Sequence, residues 1–229
     1  MTVAPGILYV VATPLGNLED ISARALTVLR EVSLIAAEDT RHTGRLLAHF
    51  GIHTKLMSYH DHNERDRVDQ LLAQLHAGAS IALVSDAGTP GIADPGYRIV
   101  HAARARALPV VPIPGPCAII TALCAAGLPT DRFTFLGFLP ERAGKRHALL
   151  ESVSGLPHTL VFYVAKWDLA KYLLEMQTAL GPRCVVVGRE LTKQHETFHQ
   201  GNFSELALHF AAHPPKGEMT VVVEGHTAP

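Results

Sequence analysis

The stretch IALVSDAGTPGIADPG, residues 81–96, indicates the fold class of this chain. Its first four residues are apolar and have the length of a buried strand, and a loop of three glycines, two prolines and two aspartates follows them directly. A helix-length segment, 97–107, and a second apolar run, 110–113, come next. Strand, loop, helix and strand in this order are typical of a βαβ unit in a parallel sheet, where ligands bind at the carboxyl ends of the strands.

Apolar runs of strand length also precede this stretch, and helix-length amphipathic segments separate them. Ser22 is typical of a helix N-cap, because its hydroxyl can accept a hydrogen bond from the first turn, and Gly51 and Gly78 are typical of helix ends. The predicted strands of this half lie at 7–12, 34–37, 56–58, 81–84 and 110–113. Strands that alternate with helices in this way favour a mainly parallel sheet.

The second half of the chain has several strand-like runs close together, which favours a mixed sheet. These runs lie at 133–138, 159–164, 184–190 and 219–223, with a further short strand near 198–201 and helices at 147–153 and 169–180. The proline-rich segment 112–116, PIPGP, is typical of a boundary between domains. We therefore predict an α/β fold of two domains, residues 1–112 with a mainly parallel sheet and residues 113–229 with a mixed sheet.

The composition excludes several classes of protein. The chain has 229 residues, of which 48% are hydrophobic and 18% charged, so it can bury a core and is compatible with a subunit interface. A net charge of −1 excludes a protein held to nucleic acid by its overall positive charge, but not a local basic groove. No apolar run reaches 18 residues and no secretory signal pattern is visible, so we expect a cytoplasmic protein without a membrane span.

Neither the cysteines nor the histidines form a metal-binding motif. The three cysteines contain no CxxC pair, and we expect them to be small buried side chains. The fourteen histidines are scattered along the chain, and His60 and His62 are the one close pair. No third ligand with a recognised spacing follows this pair, so we predict that the protein has no metal site.

Two polar segments follow predicted strands, at the edge where parallel sheets bind ligands. Residues 86–96 combine glycines, which let the backbone approach a ligand closely, with carboxylates that can accept hydrogen bonds from ribose hydroxyls or an amino group. This segment matches neither a GxGxxG fingerprint nor a P-loop, and a tight structural connection is the alternative interpretation. Residues 38–42, EDTRH, predict a substrate-facing cluster, for which a solvated loop is the alternative.

Two groups of basic side chains are candidates for contacts with phosphate. Arg41 and Arg45 are four residues apart, so one face of a helix can present both of them. Arg142, Lys145 and Arg146 form a second basic group further along the chain. Exposed lysine and arginine side chains are common on protein surfaces, and an ordinary solvated surface is the alternative interpretation of this second group.

Six motifs, in their order along the chain, together resemble one known family. They are ATPLGNL at 12–18, AEDTR at 37–41, SDAGTP at 85–90, PIPGP at 112–116, GFLP at 137–140 and RELTK at 189–193. From residue 8 to residue 225 the chain resembles the bacterial ribosomal RNA small-subunit methyltransferase I family of the tetrapyrrole-methylase superfamily. The resemblance implies two α/β domains with S-adenosylmethionine in the cleft between them, a homodimer, and 2′-O-methylation of a cytidine ribose in the decoding region of 16S rRNA.

The resemblance also implies which residues would contact the cofactor. Carried over by motif, they are Pro14, Leu15, Gly88, Thr89, Pro90, Ile92, Ala93, Cys117, Ala118, Tyr163, Val164 and Met219. Residues 162–168 read FYVAKWD where the family usually has FYESPHR, so the chain departs from the family at residues 164–168. A carboxylate, a histidine and an arginine are therefore missing from one wall of the expected cleft.

The implied reaction needs a general base near a ribose hydroxyl and a cation near the oxygen that becomes an alkoxide. The candidate bases are Glu38, Asp39, Asp86 and Glu190, and the candidate cations are Arg41, Arg189 and Lys193. Candidate platforms for an unstacked base are Tyr59, Arg41 and Phe138. The substrate would be 16S rRNA or the small ribosomal subunit. Two alternatives stay open: methylation of a tetrapyrrole or other small acceptor, and non-catalytic binding of S-adenosylmethionine.

Overall fold

The computed structural model describes residues 3–164 and 169–227. The chain divides after Cys117 into two compact units, here called the N-terminal unit and the C-terminal unit. The division lies later than the predicted boundary between 112 and 113. The reason is that Ile113 still belongs to a strand of the first sheet, where it pairs with Val11.

The N-terminal unit contains a five-stranded sheet in the order β3-β2-β4-β1-β5, and every neighbouring pair is parallel, as predicted. The strands are β1 (Leu8–Val11), β2 (Leu34–Ala37), β3 (Leu56–Ser58), β4 (Ile81–Val84) and β5 (Val110–Ile113). The helices between them are α1 (Ala23–Glu31), α2 (Thr40–His49), α3 (Glu64–His76) and α4 (Tyr97–Ala105), and a 3₁₀ turn, Leu18–Asp20, precedes α1. Because all strands are parallel, the loops that follow them meet at one edge of the sheet.

Helices cover both faces of this sheet. On one face α1 and α2 bury apolar side chains that include Val28, Leu29 and Leu47. On the other face α3 and α4 bury side chains that include Leu71 and Ile99. Every residue of β2 and β4 is therefore buried, which explains why these strands read as continuous apolar runs rather than alternating ones.

The C-terminal unit contains a mixed sheet, as predicted, and its five strands lie in the order β6-β7-β10-β8-β9. Its strands are β6 (Phe133–Phe138), β7 (Thr159–Val164), β8 (Cys184–Arg189), β9 (Thr197–Asn202) and β10 (Met219–Val223). Only the β6–β7 pair is parallel. The helices are α5 (Ala118–Ala126), α6 (Ala143–Ser152), α7 (Leu169–Leu180) and α8 (Phe203–Ala212).

The core of the C-terminal unit lies between one face of this sheet and α6, α7 and α8, and α5 contacts β10 and β8. Helix α6 begins four residues before the predicted start at 147, which changes the orientation of its basic side chains. No helix in the described part of the chain is long and apolar enough to cross a membrane.

Candidate active site

The loops that follow β1, β4 and β5 are joined at the carboxyl edge of the N-terminal sheet. Thr13 and Gly88 exchange two backbone hydrogen bonds: Thr13 N–H donates to Gly88 O at 2.8 Å, and Gly88 N–H donates to Thr13 O at 3.0 Å. The Thr13 hydroxyl is buried and donates to Ser85 O at 3.1 Å. The Thr89 hydroxyl donates to Pro116 O at 3.1 Å. These bonds hold the three loops in one fixed arrangement.

Glycine is required at Gly88 for two reasons. Its φ is +79°, and a β-carbon there would lie 3.2 Å from Cδ2 of Leu15. We expected the glycines of this loop to allow a close approach of a ligand. At Gly88 the close approach is to the loop after β1, whereas Gly91 and Ile92 further along are exposed. Ala93 has the uncommon φ of +63°, which turns this exposed part of the loop sharply.

Two neighbouring carboxylates at this edge are held by backbone N–H groups. Asp86 N–H donates to Oε2 of Glu38 at 3.3 Å, and Asp39 N–H donates to Oδ1 of Asp86 at 3.0 Å. Burial raises the pKa of the Glu38 carboxyl, and the charges of Asp86 and Asp61 act in the same direction, while the Asp86 N–H partly opposes them. Among the four predicted bases, Glu38 therefore has the environment that best favours accepting a proton.

Asp39 has a different role, because its carboxylate is engaged by Arg41. Asp39 caps α2: its Oδ1 accepts Arg41 N–H at 2.7 Å and Nε–H at 3.2 Å, and its Oδ2 accepts Nη2–H at 2.9 Å. The Arg41 side chain and N–H hold the pKa of Asp39 well below its usual range. This carboxylate is a weak proton acceptor. The Arg41 side chain is 88% exposed and Arg45 is exposed as well, so both can reach an external anion.

Glu190 and Lys193 form a tight turn in the C-terminal unit. Oε1 of Glu190 accepts hydrogen bonds from Lys193 Nζ and from Glu218 N–H, both at 3.1 Å, and Lys193 Nζ also lies 3.3 Å from Oε2 of Glu218. Burial acts to raise the pKa of Glu190, but Lys193 and the Glu218 N–H outweigh it, so the pKa is lowered. Glu190 is therefore an ionised anchor, meaning that its carboxylate fixes the position of Lys193. Two residues after Glu190, Thr192 has the strained φ of +65°.

The residues implied to contact the cofactor differ in exposure. Pro14, Gly88 and Pro90 are buried, Ile92 and Ala93 are exposed, and Leu15, Thr89, Cys117, Ala118 and Tyr163 are half-buried. Val164 and Met219 pair across β7 and β10, and both side chains lie in the core of the C-terminal unit. A cofactor could meet these two residues only through their backbone. Residues 165–168, which carry most of the departure from the family, lie outside the described residues.

The three candidate stacking platforms are not equivalent. Tyr59 is 1% exposed, and its hydroxyl is 3.4 Å from Oε2 of Glu64, which in turn pairs with Arg98. The prediction for Tyr59 is therefore wrong: burial raises its pKa and hides its ring. Phe138 is 60% exposed, and its ring centroid lies 5.2 Å from that of Tyr163.

The second basic group is split by the structure. Arg142 and Lys145 are exposed, as an RNA contact requires, but Arg146 is 1% exposed and is bound to Glu175. The prediction that Arg146 binds RNA is wrong. Because α6 begins at Ala143, Arg146 lies on the same face as the buried Leu150, four residues later. The spacing of Arg146 and Leu150 is the signal in the sequence that could have shown this.

His60 and His62 have ring centroids 5.9 Å apart. Within residues 3–164 and 169–227, no group of three or more His, Cys, Asp or Glu side chains is placed to hold a metal ion.

Comparison with known proteins gives a consistent result. Residues 7–207 match the family described as Tetrapyrrole (Corrin/Porphyrin) Methylases. The chain is 53% identical over 226 residues to "Ribosomal RNA small subunit methyltransferase I" of Escherichia coli O157:H7, covering 97% of this chain and 79% of that protein. It is 51% identical to the protein of the same name from Synechocystis sp., covering 97% and 80%.

Solved structures show the same fold at low sequence identity. Diphthine synthase has a TM-score of 0.75 at 15% identity, covering 97% of this chain and 91% of that one. Uroporphyrin-III-C-methyltransferase from Thermus thermophilus has a TM-score of 0.66 at 21% identity, covering 96% and 94%. The family model matches residues 7–207, and about half of the residues are identical in alignments that cover 97% of this chain. This chain therefore belongs to the tetrapyrrole methylase family and, within it, to the ribosomal RNA small subunit methyltransferase I group.

Proposed function

We propose that this protein transfers a methyl group from S-adenosylmethionine to the ribose 2′-hydroxyl of a cytidine in the decoding region of 16S rRNA. The observation that carries the proposal is the 53% identity to a ribosomal RNA small subunit methyltransferase I over 97% of the chain. The substrate would be the RNA or the small ribosomal subunit in the cytoplasm. We include a homodimer in the proposal, with which the low fraction of charged residues is compatible.

The residues at the carboxyl edge of the N-terminal sheet fit this cofactor chemically. Asp86 offers carboxylate oxygens to hydroxyl or ammonium groups, and Leu15 and the exposed Ile92 offer apolar surface to a purine. The fixed Thr13–Gly88 bridge would hold these groups in place before binding, which lowers the entropy cost of binding.

In the proposed mechanism the chain's own residues position the acceptor and take its proton. S-adenosylmethionine supplies an electrophilic methyl carbon on a sulfonium, so the protein has to align the acceptor and exclude water. Alignment of this kind contributes about 7–11 kcal/mol in well-oriented reactions. Glu38 accepts the proton of the 2′-hydroxyl, which contributes about 10²–10⁴-fold in rate. Arg41 and Arg45 bind RNA phosphate, and Lys193 in the C-terminal unit is a cation that Glu190 holds in a fixed position.

The test is transfer of a tritiated methyl group to purified small subunits, to naked 16S rRNA and, in a separate reaction, to a tetrapyrrole, followed by mass mapping of any modified nucleotide. Transfer to a cytidine ribose supports the proposal. Transfer only to a tetrapyrrole, or cofactor binding without transfer to any acceptor, contradicts it and favours one of the two alternative functions. Sedimentation of the purified protein tests the homodimer separately.

Variants of Arg41 and Glu38 test the residue roles. Arg41→Ala is expected to lower methylation while calorimetry shows nearly unchanged cofactor binding, and Arg24→Ala, an exposed arginine on α1, is the matched control. Glu38→Gln is expected to lower the rate at saturating substrates by about 10²–10⁴-fold. Equal losses of cofactor binding and methylation in Arg41→Ala would refute its assignment to RNA.

A further inference from the structure

The end of strand β6 presents an exposed aromatic ring. β6 is an edge strand, and its pairing with β7 shifts register between Phe135 and Phe138, where Gly137 has a φ of +69°. This bulge places Phe138 opposite Tyr163, whose ring centroid is 5.2 Å away, and leaves Phe138 60% exposed. Phe135 contacts the same tyrosine at 4.9 Å between ring centroids. Phe138 therefore packs against the ring of Tyr163, and more than half of its surface stays exposed.

Two exposed cations, Arg142 and Lys145, follow Phe138 closely in the sequence. Arg142 is the N-cap residue of α6 and Lys145 lies in its first turn, and both are exposed. The positive end of the α6 dipole lies at the same place. Glu141 is the exposed acid between them and Phe138, so the exposed side chains of residues 138–145 carry a net charge of +1. A single ring flanked by cations is typical of surfaces that bind unpaired nucleic acid, and differs from the larger apolar patches of protein interfaces.

The backbone of this turn is held by the buried Arg146. Its Nη1 donates to Pro140 O at 2.7 Å and to Glu141 O at 2.8 Å. The other edge of the guanidinium binds the Glu175 carboxylate on α7. The Cζ atom of Arg146 lies over the ring of Tyr172, 4.2 Å from its centroid. A buried charge of this kind is costly unless it is fully paired, and replacing such a pair with apolar residues often leaves stability unchanged. What the contacts of Arg146 do is tie the backbone of this turn to α7.

We propose that residues 138–145 form an RNA-binding turn, in which an unpaired base stacks on Phe138 and the adjoining phosphates contact Arg142 and Lys145, and that Arg146 is the positioning residue of this turn. The proposal rests on the proposed function in taking RNA as the substrate. It adds a second contact region, in the C-terminal unit, to the arginines of α2. Because the turn is held in one conformation beforehand, little binding energy is spent on ordering it.

The first test measures RNA binding to the full chain by fluorescence anisotropy at several salt concentrations. The two probes are a fluorescein-labelled, unstructured RNA oligonucleotide and a duplex of the same sequence. Phe138→Ala is expected to weaken single-strand binding about 5- to 150-fold, which corresponds to about 1–3 kcal/mol per stacked base. Phe138→Trp should keep the affinity. Phe133→Ala is the matched control, because Phe133 is 40% exposed on the same strand.

The contribution of Arg142 and Lys145 is measured by the salt dependence of RNA affinity. Arg142→Ala and Lys145→Ala are each expected to reduce the slope of log affinity against log salt by about 0.7, the value for one phosphate contact on a single strand. Equal binding of the duplex and the single strand, or an effect of Phe133→Ala as large as that of Phe138→Ala, would overturn the proposal. Because no methyl transfer is involved, this result is independent of whether the protein methylates 16S rRNA.

The second test separates positioning by Arg146 from a purely structural role. The double variant Arg146→Met/Glu175→Met removes both charges of the pair, so its unfolding free energy should be higher than that of Glu175→Met alone, which leaves the buried Arg146 charge without its carboxylate. The RNA affinity of the double variant should stay low, and its KM for RNA should rise more than its kcat falls. If the double variant regains both stability and RNA affinity, Arg146 has no positioning role. If it remains unstable, Arg146→Lys, which keeps the charge but cannot hold two carbonyls and a carboxylate at once, gives the same comparison.

Discussion

Gly217 and Glu190 are 27 positions apart in the chain, yet the backbone of Gly217 lies directly against the side chain of Glu190. A β-carbon placed on Gly217 would be 2.8 Å from Cγ of Glu190 and nearer still to its carboxylate. Gly217 has a φ of +88°, and the neighbouring Glu218 N–H donates to the same carboxylate. The anchor that holds Lys193 therefore depends on the absence of a side chain on Gly217.

Gly217→Ala is expected to destabilise the protein by about 2 kcal/mol or more, because the left-handed conformation alone costs an alanine about 1–2 kcal/mol and Glu190 has to move as well. Chemical denaturation measures this. Gly144→Ala is the control: Gly144 lies in α6 with nothing within 4 Å of an added β-carbon, so this change should stabilise by about 0.5–1 kcal/mol. Equal stability of Gly217→Ala and wild type would contradict the contact.

Thr13→Val is expected to cost about 1–2 kcal/mol, because the buried hydroxyl that binds Ser85 O is lost while the size of the side chain is kept. Thr13→Ser keeps the hydroxyl and should retain most of this hydrogen-bond energy. Since Thr13 joins the loops after β1 and β4, we also expect Thr13→Val to weaken S-adenosylmethionine binding, measured by calorimetry. Unchanged cofactor affinity in a destabilised variant would remove the link between the bridge and the proposed site.

The raised pKa of Glu38 predicts a pH-dependent difference in stability. The folded protein holds the Glu38 proton more tightly than the unfolded chain, so the contribution of Glu38 to stability is present below its ordinary pKa of 4.5 and is lost as pH rises through the raised folded value. The unfolding free energy of Glu38→Gln, relative to wild type, should therefore increase between pH 4 and pH 7. A difference that stays constant, or that decreases over this range, would show that burial does not raise this pKa.

Tyr59→Phe is expected to cost up to about 1 kcal/mol in stability through loss of the contact with Glu64, and to leave RNA affinity unchanged because the ring is buried. Denaturation and the anisotropy assay described above measure the two quantities. A marked loss of RNA affinity without loss of stability would mean that Tyr59 is reached by the RNA after all.

Much of the fold could be predicted from local sequence patterns. The strands at 34–37, 81–84 and 110–113 have the predicted bounds. The first two are fully buried parallel strands, which are continuous apolar runs between loops, whereas the third lies at the edge of the sheet and is only partly buried. The predicted helix at 147–153 starts too late, because the first turn of α6 carries glycine and basic residues that have no apolar periodicity. The proline at position 112 is typical of a hinge and predicts a boundary there, whereas the compact units divide after Cys117, because Pro112 lies in β5 and pairs with Val10.

The candidate site could be predicted only in part. The motifs located the Glu38–Asp39 segment and the loop after β4, but not which carboxylate is free to accept a proton. That distinction depends on Arg41 binding Asp39, on Lys193 binding Glu190 and on burial at Glu38. The inward orientation of Arg146 depends on Glu175, 29 positions later in the chain, and such pairings are set by tertiary packing rather than by local sequence.

The position of β1 in its sheet has a consequence for the synthesis of this protein. β1 lies between β4 and β5 and pairs with no other strand, so residues 8–11 have no partner until residue 81 has left the ribosome. At roughly 5–20 residues per second, a translating ribosome exposes this apolar tetrapeptide for several seconds. β1, which ends up between β4 and β5 in the finished sheet, is therefore the strand that nascent-chain chaperones have the longest opportunity to bind.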